Sequence, residues 1–207
     1  MFTVYGRANS INVRKVLWML DEVGQAYERQ DWGRGYRPTS EADFIKHSIF
    51  GVVPVIDDDG FVLRESQTIV RYLANKHNRQ DLYPSQLQPR ARTEQWMDWA
   101  STDLYSAARP VFHAMIVNAK DPTTATAPAE GVADWSKQMQ RLDQQLATDG
   151  PFLMGTSFSI ADIPTGMVVN RWFALKFDKP ALPAVSAYYD RLALRPAYRT
   201  HGRNGTP

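Results

Sequence analysis

The stretch "VVPVIDDDGFVLRESQTIVRYLA", residues 52–74, carries the clearest local pattern in this sequence. Two apolar runs flank Asp59-Gly60, a dipeptide that favours a tight hairpin turn. Ser66 follows the second run as a natural N-cap, and apolar residues recur after it at helical spacing. The pattern predicts two antiparallel strands followed by a helix with one buried face.

The residues before this stretch predict a strand, a polar loop, a helix, a weaker strand and a short helix. "FTVYG", residues 2–6, is typical of a short strand, and Gly24 is placed to end the helix that follows. "AYERQDW" at 26–32 predicts the second strand, and "SEADFIKHS" at 40–48 the short helix. The predicted order is therefore βαβ, then α, then ββα. The apolar residues of the first helix recur at helical spacing and are Val13, Val16, Leu17, Leu20 and Val23.

The remainder of the chain predicts helices. A polar segment interrupted by Pro84 and Pro89 is typical of a linker, which places an α/β domain at 1–80, the linker at 81–89 and an all-helical domain at 90–207. A Pro- and Thr-containing loop is expected at 121–131. "SIADI", residues 159–163, predicts a helix start in which Ser159 caps the helix and Asp162 returns a hydrogen bond.

Composition narrows the classes of function. The 207 residues are 43% hydrophobic with a formal net charge of +2, so the chain can bury a large core and offers no electrostatic case for nucleic acid or an anionic membrane as partner. No apolar run is long enough to span a bilayer, and no signal peptide is expected before the first strand. The chain has no cysteine, which excludes disulfides and a thiol nucleophile of its own. We expect a cytoplasmic location.

Three stretches together resemble the cytosolic glutathione S-transferase superfamily over essentially the whole chain. They are "ANSINVRKVLWMLDE" at 8–22, the 52–74 stretch, and "LMGTSFSIADIPTG" at 153–166. The sequence is most similar to the bacterial group related to the theta, beta and nu classes, where Ser, Thr or Asn replaces a Tyr after the first strand. The resemblance implies a thioredoxin-like α/β N-terminal domain that binds glutathione and an all-α C-terminal domain that supplies much of the second-substrate pocket.

Ser10 and Asn12 stand where the first strand passes into the first helix. A thiol with a pKa of about 8.5 is mostly protonated at pH 7, so a site that uses it must stabilise the thiolate. A hydroxyl, an amide N–H and the positive end of a helix could do so for the glutathione thiol. The resemblance assigns the catalytic hydroxyl to Ser10 and the neighbouring amide to Asn12. The alternative is that either residue simply caps the helix.

The resemblance also assigns the residues that hold glutathione. The Val53-Pro54 bond is expected to be cis, with the Val53 backbone pairing with the cysteinyl part of glutathione. Glu65 and Ser66 are expected to bind the γ-glutamyl end, Ser66 its carboxylate and Glu65 its ammonium group. Locally, an N-cap beside a favourable acid explains the same two residues equally well.

Two departures from the family pattern concern the glycyl end of glutathione. "SIFG" at 48–51 stands in place of the usual Asn-Pro-x-Gly, and Arg64 in place of a frequent Trp before Glu-Ser. Arg37, Lys46, His47 and Arg64 are the cations that could meet the glycyl carboxylate, but the pattern favours a solvated surface charge for each of them.

A polar and aromatic stripe occupies the first long helix of the second domain, where the family builds its electrophile pocket. The residues at this spacing are Tyr105, Arg109, Phe112, His113 and Ile116. Plain core packing is the alternative for the whole stripe.

The sequence therefore predicts a homodimeric glutathione transferase that conjugates glutathione to a small, apolar electrophile, in a detoxification role. Glutathione-dependent reduction of disulfides or peroxides is a second possibility, and a non-catalytic binding protein on the same fold is a third. No metal site is expected, because none of the four His is paired at ligand spacing.

Overall fold

The computed structural model describes residues 1–121 and 123–207. The chain divides into two compact units, Met1–Tyr83 and Pro84–Pro207. Pro122, in the loop expected at 121–131, lies outside the described residues, and a helix begins at Ala129 within that segment.

The first unit is built on a four-stranded mixed sheet of order β2-β1-β3-β4. Strand β1 runs parallel to β2 and antiparallel to β3, and β3 pairs antiparallel with β4. The turn between β3 and β4 has positive φ at both Asp59 (51°) and Gly60 (96°), which confirms the predicted hairpin. The strands are β1 (Phe2–Tyr5), β2 (Glu28–Gln30), β3 (Val55–Asp58) and β4 (Phe61–Arg64).

Three helices complete this unit in the predicted order: α1 (Ile11–Val23), α2 (Ala42–Ile45) and α3 (Ser66–Lys76). Helix α1 packs against α3, and the apolar stripe of α1 is buried as predicted except for half-buried Val23. One boundary prediction is wrong. The sequence pattern predicts Ser66 at the N-cap of α3, but Ser66 is the first helical residue and Glu65 occupies the N-cap.

The second unit is helical in the described residues, as expected for the C-terminal domain. Its first helix, α4, begins at Leu87 within the 81–89 segment, and the chain continues as helix to Val117 with two π-helical turns. No helix of the described ranges is both long and apolar enough to cross a membrane. The elements are α4 (Leu87–Trp99), a π-turn (Ala100–Leu104), α5 (Tyr105–Phe112), a second π-turn (His113–Val117), α6 (Ala129–Asp149), α7 (Asp162–Ala174), α8 (Pro183–Leu192) and α9 (Pro196–His201).

A buried carboxylate organises the start of α7. Asp162 Oδ2 accepts a hydrogen bond from the Ser159 backbone N–H at 2.8 Å, and Oδ1 accepts from the Leu153 N–H at 3.1 Å and the Tyr188 hydroxyl at 3.0 Å. Burial raises the pKa of Asp162 to about 6, against the opposing effect of these bonds. The predicted bond between the Asp162 carboxylate and the Ser159 backbone N–H is confirmed. The helix, however, begins at Asp162, later than a Ser159 N-cap predicts.

Candidate functional site

Gly6 brings the start of α1 and the segment before β3 to one point. A Cβ at Gly6 would lie 2.5 Å from Val13 Cγ2 and 3.1 Å from Val53 Cβ, so no larger residue fits between them. The loop that carries Ser10 therefore packs beside the Val53 segment. Gly6 is a site residue that sequence reasoning missed, although a glycine directly after a strand is a usual sign of close approach.

Ser10 is the N-cap residue of α1 by backbone position, with an extended conformation of φ −82° and ψ 124°. Its carbonyl accepts the first helical bond, from Arg14 N–H at 2.9 Å. Its side chain, however, makes no capping hydrogen bond, although the residue is only 8% exposed. An N-cap serine normally uses its hydroxyl on the free N–H groups of the first turn. The capping interpretation therefore holds for the Ser10 backbone and fails for its hydroxyl.

Asn12 is the second residue of α1 and is half-buried. Its Oδ1 accepts a hydrogen bond from Lys15 Nζ at 2.9 Å, so its oxygen is bonded to the following turn of α1 and does not cap the helix. Lys15 and the adjacent Arg14 are 3% and 1% exposed, and no acidic residue lies in the first turn of α1. Two cationic side chains are therefore buried near the start of this helix, where the helix dipole also favours a bound anion.

Val53 and Pro54 connect to β3 through a cis peptide bond, as the resemblance implies. Val53 is half-buried and packs against a core cluster that includes Tyr5 and Trp32. This packing holds the segment against the interior of the unit and beside the loop that precedes α1.

Glu65 and Ser66 stand at the start of α3. Glu65 has a left-handed backbone, φ 69°, and its exposed carboxylate accepts a hydrogen bond from Arg64 Nη1 at 3.2 Å. Ser66 is 7% exposed at the first helical position, and α3 has no side-chain cap. The two side chains therefore flank a helix N-terminus whose N-cap residue makes no side-chain capping bond, a position that favours a bound anion.

The four cations considered for the glycyl end lie in different environments. Arg37 and Lys46 donate to carboxylates near α2, at 2.9 and 2.8 Å, and their side chains are 51% and 70% exposed. Arg64 pairs with Glu65, whereas the His47 ring stacks on the Tyr5 ring with centroids 4.2 Å apart. For Arg37 and Lys46 these contacts favour the solvated surface-charge interpretation.

The stripe on the first long helix is not the core of the second unit. Its members Tyr105, Phe112, His113 and Ile116 are half-buried, and Arg109 is exposed. Arg171 from α7, itself 3% exposed, stacks its guanidinium 3.5 Å from the centre of the Phe112 ring. The plain-core alternative is therefore wrong for this stripe, and sequence reasoning missed Arg171. The buried residues of the same segment are Leu104, Ala108, Val111 and Met115.

Within residues 1–121 and 123–207, no group of three or more His, Cys, Asp or Glu side chains is arranged to hold a metal ion.

Comparison with known proteins decides the family. The model of the glutathione S-transferase N-terminal domain matches residues 1–75, and the model of the C-terminal domain matches residues 104–196. The glutathione S-transferase GstB of Escherichia coli (strain K12) is 32% identical over 201 residues, 96% of each chain. The chain belongs to the glutathione S-transferase family.

Solved structures of other glutathione S-transferases agree with this assignment. The theta-class enzyme of Xanthomonas axonopodis pv. citri, with glutathione bound, is 34% identical with a TM-score of 0.88, over 97% of this chain and 96% of that one. An epsilon-class glutathione S-transferase from the housefly, Musca domestica, is 22% identical with a TM-score of 0.87, over 100% of this chain and 94% of that one, which shows the shared fold. The predicted family and fold class are both confirmed.

Proposed function

We propose that this protein is a glutathione transferase that activates the thiol of glutathione at the start of α1 and transfers it to a small apolar electrophile. The observation that carries the proposal is the Ser10 hydroxyl, which is almost fully buried at a helix N-terminus and yet makes no capping bond. A hydroxyl in that position can donate to a bound thiolate. Family membership supports glutathione as the co-substrate, because relatives similar over nearly the whole chain are glutathione S-transferases.

In the proposed mechanism the protein lowers the pKa of the glutathione thiol. The Ser10 hydroxyl and the Asn12 amide N–H each donate a hydrogen bond to sulfur, and the first N–H groups of α1 add the positive end of the helix dipole. The pKa falls by about one to two units, a stabilisation of roughly 1.4 to 3 kcal/mol. The thiol proton passes to water, and the thiolate attacks the electrophilic carbon. The C–S bond forms as the leaving group departs, or as the epoxide C–O bond breaks and its oxygen takes a proton from water.

The rest of glutathione is held along the same unit. We assign the cysteinyl backbone to Val53, beside cis Pro54, and the γ-glutamyl end to Glu65 and Ser66. The N-terminus of α3, whose N-cap residue makes no side-chain capping bond, favours a carboxylate there, and the exposed Glu65 carboxylate favours an ammonium group. The ligand ammonium has to share or displace the Arg64 contact, which is a weak exposed pair.

Replacing Glu65 or Ser66 by alanine should weaken glutathione binding by about 1.5 to 3 kcal/mol, since each change removes a charge-assisted hydrogen bond. Calorimetric titration with glutathione measures this. Thr68→Ala is the matched control, because Thr68 is an exposed residue of the same helix. Unchanged affinity in both test variants would show that glutathione does not bind at the start of α3.

We assign binding of the electrophile to residues of the second unit. Tyr105, Phe112 and His113 are half-buried, so they keep accessible surface for an apolar substrate, and exposed Arg109 lies on the same helix. The Arg171 guanidinium, stacked on Phe112, holds one aromatic face in place.

A substrate screen tests the activity directly. The protein is incubated with glutathione and a panel of chlorinated aromatics, epoxides, peroxides and mixed disulfides, and thioether, glutathione disulfide and thiol products are quantified. Thioether formation supports conjugation. Turnover of peroxides or disulfides alone would instead establish the reductase alternative, and no turnover together with tight glutathione binding would favour a binding protein.

We also propose a homodimer, with the N-terminal domain of one subunit facing the helical domain of the other, and a cytoplasmic detoxification role. Exposed apolar side chains on the first unit, Phe50 (55%) and Phe61 (50%), support an interface there. Sedimentation should give about twice the chain mass. A single species near 23.5 kDa at micromolar concentration would contradict the dimer.

A further inference from the structure

The Lys15 side chain is a buried cation in the first turns of α1, directly beside the proposed thiolate site. The residue is 3% exposed, and its Nζ donates to Asn12 Oδ1 at 2.9 Å. The two residues are three apart, a spacing that places them on one face of a helix. This bond ties the Asn12 side chain to the following turn of α1.

The chemistry of this bond fixes how the Asn12 amide is turned. An ammonium group has three donors and no acceptor, so the amide atom that faces it must be the oxygen. The amide NH2 group is consequently turned away from Lys15. Without Lys15 the amide could rotate by 180° and present its oxygen, which would repel a thiolate where the N–H groups would stabilise it.

We propose that Lys15 is a positioning residue for thiolate formation: it holds the Asn12 amide with its NH2 group directed towards the glutathione sulfur. The inference rests on the proposed function, in which Asn12 donates to that sulfur. Lys15 acts through Asn12 and need not touch glutathione itself. A buried cation near the site also favours an anion through its field, and this direct contribution has to be separated from positioning.

Other charged groups near Lys15 define the controls. Arg14, adjacent on α1, is equally buried and carries the same charge. Helix α3, which packs against α1, contributes the ionisable residues Arg71, Tyr72 and Lys76, and the last two hydrogen-bond to Asp58. If positive charge alone mattered, removing Arg14 would act like removing Lys15.

The test compares seven variants of the full chain: Lys15→Met, Lys15→Arg, Asn12→Ala, Asn12→Asp, Arg14→Met, Ser10→Ala, and the double variant that combines Lys15→Met with Asn12→Ala. The first readout is the thiol pKa of bound glutathione, taken from the pH midpoint of the ultraviolet thiolate absorbance. The second is calorimetric affinity for S-methylglutathione, which has no ionisable thiol and so reports an intact binding site. Methionine approximates the length of lysine without its donor. Aspartate keeps an oxygen facing Lys15 but has no NH2 group.

We expect Lys15→Met to raise the thiol pKa by about 0.5 to 1 unit while S-methylglutathione affinity stays within about twofold of the parent. Lys15→Arg, which also presents only donors, should retain most of the parental value. Asn12→Asp should raise the pKa at least as much as Asn12→Ala. The decisive comparison is the double variant. Adding Lys15→Met to Asn12→Ala should change the thiol pKa little further, because the effect of Lys15 passes through the Asn12 amide.

Three results would overturn the inference. The first is a thiol pKa in Lys15→Met equal to that of the parent, and the second is a double variant whose shift in thiol pKa is the full sum of the two single shifts. The third is a shift in Arg14→Met as large as that in Lys15→Met, which would mean that Lys15 acts only through its buried charge. If the thiol pKa shifts in Asn12→Ala but not in Lys15→Met, the positioning role of Lys15 is rejected and the proposed thiolate site stands. Parental midpoints in both Asn12 variants and in Ser10→Ala reject the proposed thiolate site and the inference together.

Discussion

Replacing Ser10 by alanine is expected to slow conjugation at neutral pH roughly 10- to 1000-fold. This is the range for removing one well-placed hydrogen-bond donor to a negatively charged reacting group, here the thiolate. The thiol pKa of bound glutathione should rise at the same time, because the neutral thiol gains stability relative to the thiolate. Affinity for glutathione should change little, since most of its contacts lie at its two ends. Ultraviolet thiolate absorbance and steady-state rates measure the two effects.

Two further variants complete this experiment. Ser10→Thr keeps a hydroxyl and should retain much of the rate, whereas Asn12→Ala should act in the same direction as Ser10→Ala. The variant with the larger shift in thiol pKa identifies the principal donor. Parental midpoints and rates in both alanine variants would mean that Ser10 and Asn12 have only structural roles.

Replacing Asp162 by alanine should lower the free energy of unfolding by about 3 to 5 kcal/mol. Its carboxylate accepts hydrogen bonds from two backbone N–H groups and the Tyr188 hydroxyl, all buried, and each donor left unsatisfied costs about 1 to 3 kcal/mol. Denaturant titration followed by circular dichroism measures the change. Asp149→Ala is a control, since that aspartate is exposed at the end of α6.

The same residue gives a dependence of stability on pH. Burial raises the pKa of Asp162 to about 6 in the folded chain, so the folded state holds this proton more tightly than the unfolded chain, where the pKa is near 3.8. Its contribution to stability is therefore full below about pH 4 and is lost as the pH rises to about 6, a change of about 3 kcal/mol.

The variant Asp162→Asn provides the reference for this effect, because an asparagine side chain does not titrate. As the pH falls from about 6 to 4, the unfolding free energy of the parent should rise relative to that of the variant by about 3 kcal/mol. The difference between the two proteins is the measured quantity, because other carboxyl groups titrate in the same range in both. A pH-independent difference between pH 4 and 6 would show that Asp162 has an ordinary pKa.

Much of the fold followed from local sequence chemistry. The Asp59-Gly60 hairpin was predictable because few dipeptides adopt two consecutive positive φ angles, and both residues do so in the structure. The apolar stripe of α1 followed from helical periodicity, and the Ser159 and Asp162 pair from capping chemistry. The cis Val53-Pro54 bond came only from family resemblance, because an isolated X-Pro bond is usually trans.

The features that sequence reasoning missed depend on tertiary packing. Lys15 and Arg14 are buried although charged residues usually lie at the surface, and nothing in a helical pattern distinguishes them from solvated cations. Ordinary helical spacing places the residues of the 105–116 stripe on one face, but the second π-turn spans 113–117, where each turn holds more residues. Pattern spacing therefore could not decide which of its side chains are covered.

The Ser10 hydroxyl does not cap α1, and this determines which substitutions the position tolerates. Because the side chain adds no capping bond to the helix, its removal should leave the melting temperature of the protein almost unchanged. A library selected for folding or expression alone would therefore accept alanine at this position freely. Only selection for turnover would reject it, so the difference between two such screens would locate the residues that this protein maintains for chemistry.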